Sequence, residues 1–281
     1  MHARAVIPRA ALAGASGDVV AWLFALLFAE PLIQAAIDYE AERGEAEAAL
    51  DAAVGIAPPE EAPEIFSRTV QGVWGIGVGM VLAGVALGLL FAVVYTLLQG
   101  KVSLRPRALA LLVAGAGFLT LYATPFVKYP ANPPAVGHDE TIGDRSALFL
   151  VMVVGSVVAL VVAGLVVRAL RERLGTWNAV LVGGLAYVVL VGVLMAVLPS
   201  LGELAANVAT YGPAVSETPQ PLRDPVGRIV FPGFDPDVLY SFRVYALTAQ
   251  ILLWGVLGLV FGALAERTVD PRPSERALES V

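Results

Sequence analysis

Apolar residues fall in six blocks, at about 10–29, 70–98, 108–127, 146–167, 177–198 and 244–264, with charges and prolines gathered between them. A hydrocarbon core about 30 Å thick takes roughly 20 residues of α-helix, and every block reaches that length. Neither the period nor the length of the blocks suits a barrel strand. An unpaired backbone amide in lipid costs several kcal/mol, so each block is predicted to be a helix. The expected fold is all-α: one transmembrane domain over 1–281, a polytopic bundle of about six helices. Loops are expected at 30–69, 128–145 and 199–243.

Composition agrees with that pattern. The chain is 58% hydrophobic and 15% charged, with a mean hydropathy of +0.77, which belongs to a multi-pass membrane protein whose solvent is the lipid bilayer. No loop is long enough for a separate soluble catalytic domain, and no nucleic-acid partner is expected. Cysteine is absent, which removes disulfides, thiolate ligands and a thiol nucleophile together. The first block is read as a retained helix, because "EPLIQAAIDYE" follows it directly and no small-residue cleavage site follows Phe28.

Charge sets the expected orientation. Eleven of the 18 Lys and Arg lie in the 44 residues of segments 1–9, 99–107, 168–176 and 265–281, against seven in the 103 residues of the other loops. The positive-inside rule then puts both termini in the cytoplasm and 128–145 outside. The acidic run "EAERGEAEAALDAA" at 40–53 reads as a solvated, helix-compatible loop, with cation attraction as the lesser reading.

Inside the blocks, glycines at 75 and 79, 84 and 88, and 258 and 262 have the spacing that lets helix backbones approach. Two readings stand for Asp18. It is either a carboxylate deep in the first helix, which must pair, protonate or line a wet cavity, or part of a frayed, interfacial helix start. Gln250 is expected to hydrogen-bond between helices. Other polar residues gather at the outer helix ends: Glu30 with Pro31, Arg68 and Gln71, Lys128 and Tyr129, Arg145, and Arg243. They form either a vestibule or a set of interfacial anchors.

The densest polar segment is "FVKYPANPPAVGHDETIGDR". Pro130, Pro133 and Pro134 remove amide donors and hold their predecessors extended, so the helix is expected to stop and a stiff loop to follow. Asn132, His138, Asp139 and Glu140, with Glu30, are the candidate metal ligands, since imidazole and carboxylate suit a borderline divalent ion. Consecutive residues of an extended segment point to opposite sides, which argues against one site holding His138, Asp139 and Glu140 together.

"FVKYPANPPAVG" followed by "ETI" and Arg145 resembles the CbtA family of probable cobalt transporter subunits, as do "EPLIQAAIDYE", "FSRTVQG" and "SFRVYALTAQILLWGVLGLVFGAL". The likeness covers most of the chain outside 41–64 and 200–229. It implies a membrane subunit of cobalt uptake with Co2+ as the transported ion and no permanently bound cofactor. It also implies a small single-span, histidine-bearing membrane partner (CbtB-like). The chain departs from the family pattern at "GHDETI", where Gly-Asp-Pro-Glu-Thr-Ile is expected, so His138 is a feature of this chain. Lys128 and Arg145 are expected to pair with Glu30 or Glu140 and brace the loop.

No GxxxxGK[ST] motif occurs, so the chain has no P-loop for nucleotide hydrolysis. A potential of 100 mV drives a divalent cation by about 4.6 kcal/mol, enough for roughly thousandfold accumulation. Two other classes stand beside a permease subunit that is not an enzyme: a membrane scaffold without its own transport, and a membrane-embedded enzyme using Asp18 or the outer carboxylates as acid and base.

Overall fold

The computed structural model describes residues 3–56, 75–212, 214 and 216–267. Its helices are α1 (Ala3–Phe28), α2 (Glu30–Ala53), α3 (Ile76–Leu98), α4 (Pro106–Gly117), α5 (Thr124–Lys128), α6 (Ile142–Val197), α7 (Ala205–Tyr211) and α8 (Pro236–Glu266). A two-stranded antiparallel hairpin, β1 (Leu222–Arg223) and β2 (Ile229–Phe231), lies between α7 and α8. Among the described residues, five helical stretches are long and apolar enough to cross a membrane: Val6–Phe28, Ile76–Leu98, Pro106–Lys128, Asp139–Thr210 and Pro236–Glu266.

The 56 residues of α6 are too many for one crossing, and the helix breaks at Gly175, where φ is 75° and ψ 162°. Only glycine takes that conformation readily. The two arms then run antiparallel. Gly155 faces Leu194, and Gly183 faces the Ala163 carbonyl and Val167. Counting each arm as a span restores the six helices of the hydropathy pattern. The basic segment 168–174, expected to be a turn, is helical up to that single break.

Thr124 and Pro125 lie within the third apolar block, which continues helically to Lys128. A wide π-turn over Phe118–Ala123 precedes it. Pro125 lacks an amide hydrogen and crowds the carbonyl one turn back, and a local widening of the helix accommodates it. The Thr120 carbonyl there accepts a hydrogen bond from Ser156 Oγ at 2.6 Å.

Two further segments expected as loop are ordered. Residues 30–53 form α2, with Pro31 in its first turn. The last helix begins at Pro236 rather than near 244, because Asp235 caps it: Oδ1 accepts from the Asp237 amide at 2.7 Å.

The chain forms two compact units. The first comprises the described parts of Met1–Phe28, Glu64–Leu119 and Leu247–Val281, the second those of Ala29–Pro63 and Thr120–Ala246. In the first, α1 and α3 pack backbone to backbone. A Cβ on Gly88 would strike the Ala10 carbonyl, and one on Gly14 the Gly84 carbonyl. Phe91, Tyr95 and Phe261 form an aromatic cluster with centroids 4.7–6.1 Å apart. In the second, the core joins Tyr129 to the arms of α6 through Met152, Ala159, Ala163, Tyr187 and Val191.

Candidate functional site

The proline-rich segment of the second unit becomes a stiff cap. Tyr129 closes α5, is buried, and donates from its hydroxyl to the Pro199 carbonyl at 2.8 Å. The chain thus ties the start of the cap to the end of α6. Lys128 lies 5.8 Å from the Tyr129 ring centroid. Beyond Pro130, Asn132 Oδ1 accepts from Arg243 Nη2 at 2.7 Å, which fastens the loop to α8. Pro133 is buried and Pro134 exposed, and the Val136 amide donates to the Pro133 carbonyl at 3.3 Å. Ala135 and Gly137 carry positive φ, 66° and 114°.

The centre of this cap is a carboxylate that sequence reasoning missed. Glu217 is 1% exposed. Its Oε1 accepts from Thr141 Oγ1 and from Asn207 Nδ2, both at 2.8 Å. Its Oε2 faces Arg145 Nη1 at 3.6 Å. An isolated buried carboxylate would cost several kcal/mol, whereas this one has two donors and a guanidinium. Arg145 Nη2 also donates to the His138 carbonyl at 3.3 Å, and Thr141 Oγ1 lies 2.8 Å from the same oxygen. Gly137 makes the closure possible. A Cβ there would run into Arg145 Nη1 and lie 3.1 Å from Glu217 Oε2.

The expected brace therefore exists, with a different partner. Arg145 pairs with Glu217, not with Glu30 or Glu140. Glu30 opens α2, and Glu140 sits exposed beside exposed Asp139 on the turn Asp139–Thr141. Among the described residues, no three His, Asp or Glu side chains lie together as a metal cage, so the structure does not gather Asn132, His138, Asp139, Glu140 and Glu30 into one. Glu217 gives no open ligand either, since its oxygens face Thr141, Asn207 and Arg145. A groove of about 660 Å³ along α6 is lined by Ile142, Arg145, Ser146, Phe149, Leu150 and Val153, and its one charge is positive. What the cap does chemically is hold its exposed acids on a rigid frame.

The remaining predicted residues fall elsewhere. Arg68 and Gln71 lie outside the described residues. Gln250 is partly buried on α8, with no hydrogen-bond partner among the described residues. Asp18 is 3% exposed, within the first unit, so it belongs to the packed part of α1 rather than to a frayed end.

The family model described as "Probable cobalt transporter subunit (CbtA)" matches residues 3–266 of the 281. The chain belongs to the CbtA family. No curated protein and no solved structure matches it. The CbtA match runs through both compact units and through the whole cap, including the segment 200–229 that carries Glu217. CbtA membership agrees with the apolar helices of a multi-pass membrane protein.

Proposed function

We propose that this CbtA-family chain is the permease subunit of an importer for cobalt or a neighbouring divalent ion, with Co2+ as its substrate. In this reading it lies in the bacterial cell membrane with both termini cytoplasmic, and the cap from Lys128 to Arg145 faces outward. It works with a small single-span membrane subunit that carries histidines. The observation that carries the cargo is the family match over residues 3–266.

The cap supports the rest. Asp139 and Glu140 are exposed acids on a frame fixed by Glu217, and they raise the local concentration of cations without caging one. A borderline divalent ion takes about four or more donors, and the missing ones are assigned to the partner's histidines. No catalytic step is assigned to the chain.

The test is uptake of radiolabelled cobalt by cells stripped of other routes, expressing the chain with and without the partner. Accumulation above empty membranes only when both are present is expected, as is slower uptake after Asp139→Asn with Glu140→Gln at equal membrane abundance. Accumulation no greater than in empty membranes overturns the reading. Labelling that finds the cap in the cytosol overturns its orientation.

A further inference from the structure

Asp18 stands near the middle of the span Val6–Phe28, is 3% exposed, and has an oxygen, Oδ2, without a hydrogen-bond partner among the described residues. That oxygen is aimed into the seam between α1 and α3. A Cβ added to Gly84 would strike it and would lie 2.6 Å from the Gly14 carbonyl. On its other side α1 meets α8, where a Cβ added to Gly17 would lie 2.6 Å from the Leu253 carbonyl oxygen. The carboxyl oxygen is thus enclosed by the glycines and backbone of the α1–α3 seam.

Three states are open to it. As a bare anion it would cost several kcal/mol, because among the described residues no cation pairs with it. Arg9 on α1 is nine residues away, about 13 Å along the helix. Of the other elements packed here, α3 offers Tyr95 alone and α4 Arg107 alone, while α8 carries Asp237, Tyr240, Arg243 and Tyr245 ahead of its part in the first unit, which begins at Leu247 and has nothing titratable before Glu266. As a metal ligand it would need several further donors, and among the described residues no group of three His, Asp or Glu is gathered to hold an ion. The place of a Cβ at Gly84 is taken by the Asp18 carboxyl and the Gly14 carbonyl, and no coordination shell is assembled there among the described residues. A proton needs no shell.

We propose that Asp18 is a proton-binding site of the bundle. It is held as the neutral acid while the Gly14–Gly84–Gly88 seam is closed, and it exchanges its proton when the seam parts. On parting, the O–H bond breaks, the proton passes to entering water and the carboxylate remains. Closing the seam returns a proton to the carboxylate. This property belongs to the first unit alone and does not depend on the cargo.

Infrared spectroscopy of the full chain in lipid vesicles, at neutral pH and without cobalt, tests it. The expected result is a carboxylic-acid C=O band that moves when aspartate is labelled with 13C at its side-chain carboxyl, shifts in D2O and is lost in Asp18→Asn. Asparagine mimics the neutral acid in shape, so that variant is expected to keep the thermal midpoint of the parent. Should it fail to insert, the isotope shift in the unaltered chain still assigns the band to a protonated aspartate, and among the described aspartates Asp18 alone is buried. No band at neutral pH, a band retained in D18N, or a band that never responds to D2O overturns the proposal. Absence of cobalt uptake leaves this result standing, and absence of the band leaves the uptake reading standing.

Discussion

Glu217 and Arg145, 72 residues apart in the chain, form an ion pair of 3.6 Å in which the carboxylate side chain is 0% exposed and the guanidinium side chain 27%. The pair fixes the segment after α7 to the first turn of α6, and the backbone between them at Gly137 has no room for a side chain.

Removing the acid leaves a half-buried guanidinium with the His138 carbonyl but no counter-charge. Glu217→Gln is expected to destabilise the protein by about 2–3 kcal/mol, and Thr141→Val, which removes one donor, by about 1 kcal/mol. Thermal unfolding in vesicles measures both. A combined variant losing less than the sum of the two would show that Thr141 and Arg145 act through the same carboxylate.

Gly137→Ala combines a φ of 114° with a collision against Arg145. It is expected to cost about 1–3 kcal/mol and to slow cobalt uptake along with Glu217→Gln. Gly164→Ala, where a Cβ meets nothing within 4 Å, serves as the control and is expected to be neutral or slightly stabilising.

Asn132→Ala removes the acceptor of Arg243 and is expected to cost about 1–2 kcal/mol, whereas Asn132→Asp keeps an oxygen there, strengthens the contact and preserves stability. If both variants unfold alike, the hydrogen bond is not what holds this part of the cap.

The α1–α3 seam predicts a sharp contrast between glycines of one helix. Gly88→Ala would press a methyl into the Ala10 carbonyl and is expected to destabilise by about 1–3 kcal/mol, while Gly79→Ala enters open space and changes stability by less than about 1 kcal/mol.

The hairpin turn has a pH dependence with a definite sign. Partial burial pushes the Asp224 carboxyl up, but hydrogen bonds from Arg228, Val226 and Gly227 outweigh it and hold the group below its ordinary value of 3.8. A depressed acid stabilises the turn above its unfolded value, and that contribution disappears as pH falls through the lower, folded one. Amide exchange at Val226 and Arg228, which donate to Asp224 Oδ1 at 3.1 and 2.8 Å, is expected to lose protection only in that acidic window.

Hydropathy summed over some 20 residues is a local quantity, so the six apolar blocks, their helical state and the polar break "KYPANPP" between two of them were legible without coordinates. The stiffness of that loop was legible too, because proline restricts its own φ and its neighbour's ψ regardless of what surrounds it. Glu217 was not, since one acid in a polar loop has no period and its burial depends on which loop folds over it. The same holds for α2. Its acidic sequence fits a solvated helix, and its docking shows only in the fold, where Tyr39 sets its ring against Phe231 and Phe234 and its hydroxyl on the Pro232 carbonyl and Arg43 donates to the Gln220 carbonyl.

Sequence by itself determined that this chain crosses lipid and where its apolar helices lie, because exclusion of the backbone from hydrocarbon acts on every residue of a block in the same way. Tertiary structure alone decided which charges meet. Arg145 finds Glu217 rather than Glu30 or Glu140, and Asp18 finds glycine rather than a cation, because the energy of a buried charge depends on the few atoms within about 4 Å of it, and those come from distant parts of the chain.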